Sequence, residues 1–153
     1  MDNIVYKRAD GGVSVITPAP KETLEKALGK MTEQEYIDHV YSRSIPQDAK
    51  EIFETTSFPN DKYFRDAWTI KNKQIDVDMP KARIIHMDRI RKDRVKKLKE
   101  LDIDTLRGKD VQSHKQYLRD IPQTLDLTQA NTPEELKNTL PKEYKNPTER
   151  TTK

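Results

Sequence analysis

The segment Pro80–Leu101, PKARIIHMDRIRKDRVKKLKEL, decides the fold, because it carries the longest helical pattern in the chain. Proline is accepted in the first turn of a helix, so Pro80 marks a helix start, and Asp76 and Asp78 upstream favour its positive end. At about 100° per residue, six apolar side chains fall on one stripe roughly 140° wide. These six are Ile84, Met87, Ile90, Val95, Leu98 and Leu101. The pattern predicts an amphipathic helix of about six turns.

Two arginines interrupt this apolar stripe. Arg91 and Arg94 both project inside it, where each must reach the edge of the stripe or pair with a carboxylate of a facing segment. A second helix is predicted over Thr105–Ile121, ended by Pro122, and the short connection makes it antiparallel to the first. Asp120, near the end of this second helix, is the predicted partner of Arg91 or Arg94.

The apolar anchors of this helix pair are predicted from its large side chains. Trp68, the single tryptophan, is expected at the point where the preceding strands meet the long helix. Tyr117 is expected on the broad apolar face of the second helix. Met87 and Leu98, both on the stripe of the first helix, complete the predicted set of anchors.

The first 78 residues predict short strands and short helices. Alternating apolar residues on both sides of Asp10-Gly11-Gly12 predict an N-terminal β-hairpin, because glycine supplies the positive φ angles that tight turns require. The other predicted elements are a helix over Pro20–Leu28, a helix from the Thr32 capping box to about Arg43, a strand over Glu51–Phe58, and either two short strands or one open hairpin around Lys71-Asn72-Lys73-Gln74.

The composition changes after Leu125. Thr132-Pro133-Glu134-Glu135 is a strong helix start, with threonine as N-cap, and predicts a helix of one or two turns ending by Leu140. Residues 142–153 are polar and without periodicity, so disorder is expected there in isolation.

The sequence therefore predicts an α+β fold. An N-terminal β-hairpin and short strands pack on an antiparallel helix pair, and an extended C-terminal arm follows. The predicted division is residues 1–78 for the hairpin, short helices and strands, 79–122 for the helical hairpin, and 123–153 for the arm with its short helix.

Composition limits the classes of protein to consider. Of the 153 residues, 33% are hydrophobic and 36% are charged, which is polar for one domain and predicts a small core. The chain has no cysteine, which excludes disulfides, thiolate catalysis and cysteine zinc sites. No run approaches the roughly 18 apolar residues of a membrane span, so no membrane partner is expected and the simplest location is the cytoplasm.

No catalytic pattern accompanies these elements. His39, His86 and His114 lie on three separate predicted helices without metal-ligand spacing, so each is interpreted as a structural or surface residue. The single glycine pair, Gly11-Gly12, sits in a hairpin rather than a phosphate-binding loop, and no serine has a base beside it. We expect no enzyme, no metal and no cofactor.

The positive charge of the chain is concentrated on the long helix. Residues 81–100 carry nine basic and three acidic side chains, while the whole chain has a net charge of +3. Lys92, Lys96 and Lys99 are the candidates for a basic docking face, which would be either solvated or matched to an acidic protein. The alternative is an accessory protein that binds nucleic acid with this helix. Against it, no aromatic side chain lies between Lys81 and Leu101 to stack on bases.

Five segments, in order, resemble small proteins encoded in tailed-phage and prophage genomes, of the tail assembly chaperone or tail-fibre assembly type. They cover most of the chain outside residues 20–60. The segments are IVYKRADGGVSVITPAP at residues 4–20, FRDAW at 64–68, IRKDRVKKLKELD at 90–102, KQYLRDIP at 115–122 and TPEELKNTLP at 132–141.

This resemblance implies a non-enzymatic role in building the virion. The protein would act by protein–protein binding in the tail or tail-fibre region, as a small structural subunit or as an assembly factor. Its partners would be other virion proteins, and self-association is left open. It would act in the host cytoplasm during assembly and, as a structural subunit, stay in the virion tail.

Overall fold

The computed structural model describes residues 1–142. Within them the chain has five α-helices and two small antiparallel sheets, so the predicted α+β class is confirmed. The chain divides into two compact units, Met1–Val77 and Asp78–Lys153. The predicted disorder of residues 143–153 lies outside the described residues.

The first unit is built on a three-stranded antiparallel sheet. Its strands are β1 (Asn3–Lys7), β2 (Val13–Ile16) and β3 (Lys50–Thr55), in the order β2-β1-β3. The β1–β2 connection is the predicted hairpin, in which Gly11 has a φ of 82° that other residues rarely adopt. β1 is therefore the central strand.

Both faces of β1 are buried. Side chains alternate along a strand, and Ile4 and Val5 are each fully buried on opposite faces. Ile4 packs against Tyr36 and Val40 of the helix α2 (Glu33–Ser44). The helix α1 (Lys21–Leu28) precedes α2, and Thr32 forms the predicted capping box of α2 with Glu35.

The other face of the sheet is covered by a second hairpin. It pairs β4 (Trp68–Lys71) with β5 (Gln74–Val77), through a turn in which Asn72 and Lys73 have φ angles of 52° and 55°. A 3-10 helix (Arg65–Ala67) leads into it. Trp68 packs there against Val5 and Val13. Trp68 is therefore an apolar anchor of the first unit, where β4 places its indole against the sheet.

The second unit begins with the long helix α3 (Met79–Leu106). Its N-cap is Asp78, whose Oδ1 accepts a hydrogen bond of 3.1 Å from the Lys81 N–H. The 28 residues of α3 exceed the predicted Pro80–Leu101, because Asp102-Ile103-Asp104 continues the helix instead of turning. The turn comes at Gly108, whose φ of 82° suits the end of a helix.

The helix α4 (Gln112–Thr124) packs against α3, as predicted, but starts later than Thr105. It also continues two residues beyond Pro122, because a proline in the last turn removes only one helical hydrogen bond. The core between the two helices consists of Ile90, Leu101, Leu118 and Ile121.

The segment after α4 packs on α3 instead of extending as an arm. It contains the short helix α5 (Pro133–Asn138), which begins with the predicted Thr132 capping box and contacts α3. The buried side chains of this segment are Leu127, Ala130 and Leu136. Arg83 of α3 also donates hydrogen bonds to the Leu127 and Ala130 carbonyl oxygens, at 3.2 and 2.9 Å.

This packing shows that the predicted apolar stripe was placed wrongly. Ile84 and Val95 are 64% and 47% exposed, whereas α3 buries Ala82, His86, Ile90 and Leu101. The buried face is rotated from the prediction by roughly a quarter turn. The reason is that a small alanine and a hydrogen-bonding histidine allow close packing, which hydrophobicity alone does not detect. Within residues 1–142 no helix is both long and apolar enough to span a membrane.

The packing of α5 gives a direct test. Leu136 is fully buried and Leu106 is 88% exposed. The same substitution at the two positions changes the composition equally, so a difference in stability between the two variants reports the effect of burial. Leu136→Ala is expected to lower the free energy of unfolding by about 2–5 kcal/mol, because it leaves a cavity. Leu106→Ala is expected to change it by no more than about 0.5 kcal/mol. Urea denaturation followed by circular dichroism measures both, and equal effects would contradict the packing.

Candidate docking face on the long helix

The predicted pairing of Asp120 with an arginine of α3 is not present. Arg91 Nη1 instead donates to Asp88 Oδ1 at 2.9 Å, one turn away on the same helix. Asp120 Oδ1 accepts from Gln116 Nε2, also at 2.9 Å and within one helix. Both residues are exposed, so a local partner satisfies each without the entropy cost of reaching across helices.

Arg94 does link α3 to α4, through a different acceptor. Its Nη1 donates to the backbone carbonyl of Arg119 at 3.3 Å, and its Nε is buried without a hydrogen-bond partner among the described residues. A second link was not predicted: Lys115 Nζ lies 2.8 Å from Asp102 Oδ1. The Lys115 side chain is only 7% exposed, so this pair is partly shielded from water. Sequence reasoning missed it because it placed Asp102 in a turn.

The predicted apolar anchors have different environments. Leu98 packs against the core between α3 and α4, and Met87 is half-buried. Tyr117 is 37% exposed, and its hydroxyl donates to the Lys142 carbonyl oxygen at 3.3 Å. Tyr117 therefore contacts the segment after α5 instead of filling the helix interface.

His86 joins α3 to the end of α5. The side chain is fully buried, and its Nε2 lies 2.8 Å from the Thr139 carbonyl oxygen. A carbonyl oxygen only accepts, so Nε2 carries a proton in the neutral ring. Burial lowers the pKa of His86, and the neighbouring Arg89 adds to this effect, while the bond to Thr139 opposes it. The histidine has a structural role, consistent with its interpretation from sequence.

The side of α3 turned away from this core is apolar and basic, apart from Asp88, which pairs with Arg91. We define the outer face of α3 as its four exposed aliphatic residues together with the three predicted docking lysines. The members are Ile84, Val95, Ile103, Leu106, Lys92, Lys96 and Lys99. Ile84, Val95 and Leu106 are spaced eleven residues apart, so they fall within about 40° of one another. The buried Ile90 and Leu101 are also eleven residues apart, so this spacing alone does not separate the outer face from the core.

The cations of α3 differ in whether they have partners. Arg83, Arg91 and Arg94 each donate to an acceptor within the second unit, and Arg89 and Lys97 also take part in contacts. The lysines of the outer face have no hydrogen bond or ion pair with any of residues 1–142. Within the described part of the chain, no acceptor or carboxylate therefore neutralises the charge of these three lysines.

The described residues include no group of three histidine, aspartate or glutamate side chains placed to hold a metal ion. Comparison of the chain with protein-family models, curated proteins and solved structures gives no match. The resemblance to tail assembly proteins therefore stays a prediction, and the outer face of α3 is the feature from which a function can be argued.

The buried His86 gives a prediction of pH dependence. Its pKa in the folded state lies below its ordinary value, so the unfolded chain binds the proton more readily. The stabilisation by neutral His86 is present above the unfolded-state pKa of about 6.5 and is lost as the pH falls from there through the lower pKa of the folded state. In His86→Gln, whose Nε2 can still donate to Thr139, this part of the pH dependence should vanish.

Chemical denaturation from pH 7 to pH 5 measures the effect. His114→Gln is the control, because His114 is exposed on α4. If His114→Gln flattens the pH dependence and His86→Gln does not, the assignment to His86 is wrong.

The unpaired lysines give a second prediction. Lys96 lies at helical spacing from two lysines, Lys92 and Lys99, and also from two carboxylates, Asp93 and Glu100. Like-charge and opposite-charge pairs at these spacings change helix stability by similar amounts in opposite directions, so Lys96→Gln is expected to change the free energy of unfolding at low salt by no more than about 0.5 kcal/mol. Lys97→Gln is expected to lower it by up to about 1 kcal/mol, because Lys97 takes part in a contact. A destabilised Lys96→Gln protein, measured by urea denaturation, would show that Lys96 has a structural partner.

Proposed function

We propose that the chain is a non-enzymatic protein-binding component of a phage virion, which acts in tail or tail-fibre assembly through the outer face of α3. The observation that carries the proposal is the exposure of Ile84, Val95 and Leu106 at 64%, 47% and 88%, beside lysines that have no partner in the described chain. A cluster of large exposed apolar side chains marks an interaction surface more often than an isolated one does.

The physical case rests on what a partner would gain. Fully burying an aliphatic side chain of this size is worth about 1.5–3 kcal/mol, and several of them offset part of the entropy lost on association. Lysines beside these side chains favour a partner of opposite charge and exclude partners of like charge.

The phage assignment rests on the five-segment resemblance. Under it, the chain meets its virion partners in the host cytoplasm during assembly. As a structural subunit it remains in the tail, and as an assembly factor it leaves before the particle is complete.

A nucleic-acid-binding accessory protein is the second candidate. Lys92, Lys96 and Lys99 favour it, because unpaired cations can contact successive phosphates. The exposed aliphatic side chains argue against it, since contact with phosphate does not require them.

Mass spectrometry of purified particles, combined with a surface variant, tests the proposal. In cells where Val95→Ser/Leu106→Ser replaces the natural protein, the yield of complete particles is expected to fall at least about tenfold, because tenfold corresponds to only about 1.4 kcal/mol of lost binding. The matched control is Leu28→Ser/Ile52→Ser, which changes two exposed aliphatic residues of the first unit.

The particle analysis also separates the two versions of the role. A stoichiometric amount of the chain in purified particles identifies a structural subunit, and its presence in the lysate alone identifies an assembly factor. Normal particle yield in cells lacking the chain would refute the proposal.

A further inference from the structure

The lysines on the outer face of α3 form a short row along the helix axis. Lys92, Lys96 and Lys99 lie at positions i, i+4 and i+7, so the row is about 10 Å long. Val95 lies one turn from both Lys92 and Lys99 on the same side. Beyond Lys99, the exposed Ile103 and Leu106 continue the face to the end of α3. Cationic and aliphatic side chains therefore lie beside one another along one surface of the helix.

Resting on the proposed function, we infer that the outer face of α3 binds an acidic amphipathic helix of a partner virion protein. In that helix, carboxylates recur every three or four residues and aliphatic side chains lie between them. The carboxylates face Lys92, Lys96 and Lys99, and the aliphatic side chains cover Val95 and Leu106.

The charge of the row selects an acidic partner over a second copy of the chain. A second copy pairing through the same face would bring three further lysines against the first three. Like charges placed opposite each other across an interface oppose association. A partner with carboxylates at helical spacing instead adds attraction between the chains.

The backbone of α3 selects a helical partner over an extended one. An extended peptide that buries apolar side chains must also bury its N–H and C=O groups, which then need hydrogen-bond partners. It finds them at the edge of a sheet, but the middle of α3 has no free backbone groups to offer. A helix satisfies its own backbone and can therefore lie along α3 with only its side chains in contact.

The aliphatic members of the face select protein over nucleic acid. Ile103 and Leu106 would gain no burial against a phosphate backbone, which lysines alone contact. The outer face also carries no aromatic side chain on which a base could stack.

Fluorescence anisotropy with the full-length protein tests the inference. The probe is a labelled synthetic peptide of about 20 residues, long enough to be helical alone, with glutamate at i, i+4 and i+7 and leucine between. A second peptide replaces each glutamate by glutamine, and a labelled DNA duplex of similar length reports on nucleic-acid binding.

Two protein variants of equal charge locate the binding surface. Lys92→Gln/Lys96→Gln/Lys99→Gln removes the row and keeps good helix formers. Lys26→Gln/Lys30→Gln/Lys71→Gln removes three exposed lysines of the first unit that have no partner in the described chain. The row variant should weaken binding of the glutamate peptide about tenfold or more, as three ion pairs of about 0.5 kcal/mol each would predict, and the control variant less than about twofold.

Each outcome of the anisotropy experiment either supports or overturns the inference. Weaker binding of the glutamine peptide, together with a loss confined to the row variant, supports the inference. Equal binding of both peptides, equal loss in both variants or no binding of the glutamate peptide would overturn it. Lysine-dependent binding to the duplex that is tighter than binding to the peptide would also overturn it.

Particle assembly separates this inference from the proposed function. Loss of assembly in Val95→Ser/Leu106→Ser, with normal assembly in the row variant, would overturn the acidic partner and keep the docking function. Normal assembly in both would remove the docking function itself. Loss in both, with a melting temperature of the row variant no lower than that of the natural protein, supports the two together.

Discussion

The hydrogen bonds that hold the segment after α4 against α3 determine which side of the long helix is covered. Arg83 donates to two carbonyl oxygens of that segment, and His86 bonds to a third at Thr139. Buried carbonyl oxygens need donors, so these contacts place the segment along one side of α3 and allow Leu136 to be fully buried there. The opposite side of α3 is left with its aliphatic residues exposed.

The charged side chains of α3 also differ between its covered side and its outer face. Arginines near the covered side donate to carbonyl oxygens, as Arg94 does to Arg119, and Asp102 pairs with the nearly buried Lys115 of α4. Lys92, Lys96 and Lys99 receive no such partner in the described chain. Arginine suits the first role because its planar group can bond several acceptors, and lysine suits an exposed surface because its ammonium is strongly hydrated.

The small cores explain why so polar a chain can fold and still leave apolar residues exposed. In the first unit, the two faces of β1 bury Ile4 and Val5 under α2 and the second hairpin. In the second unit, Ile90, Leu101, Leu118 and Ile121 form a compact set. The core of the second unit is formed without the exposed aliphatic residues of α3, so these residues are not required for its packing.

Local features of the sequence determined the elements of this protein. Gly11 specified a turn by its backbone freedom, and Thr32, Thr132 and Asp78 specified helix starts by capping. These effects act within a few residues, so each could be predicted from its own segment. The class of the fold and the position of the basic helix followed from them.

Only the tertiary structure decided which face of α3 is buried, which acceptor Arg94 bonds, and that the segment after α4 packs on the helix. Periodicity relates the side chains of one helix to each other but does not say which neighbour covers them. Which face of α3 is buried depended on Ala82 and His86, which pack closely or form hydrogen bonds without being strongly hydrophobic. For that reason the candidate docking face was visible in the sequence as three lysines, while its aliphatic part became visible only once the covered side was known.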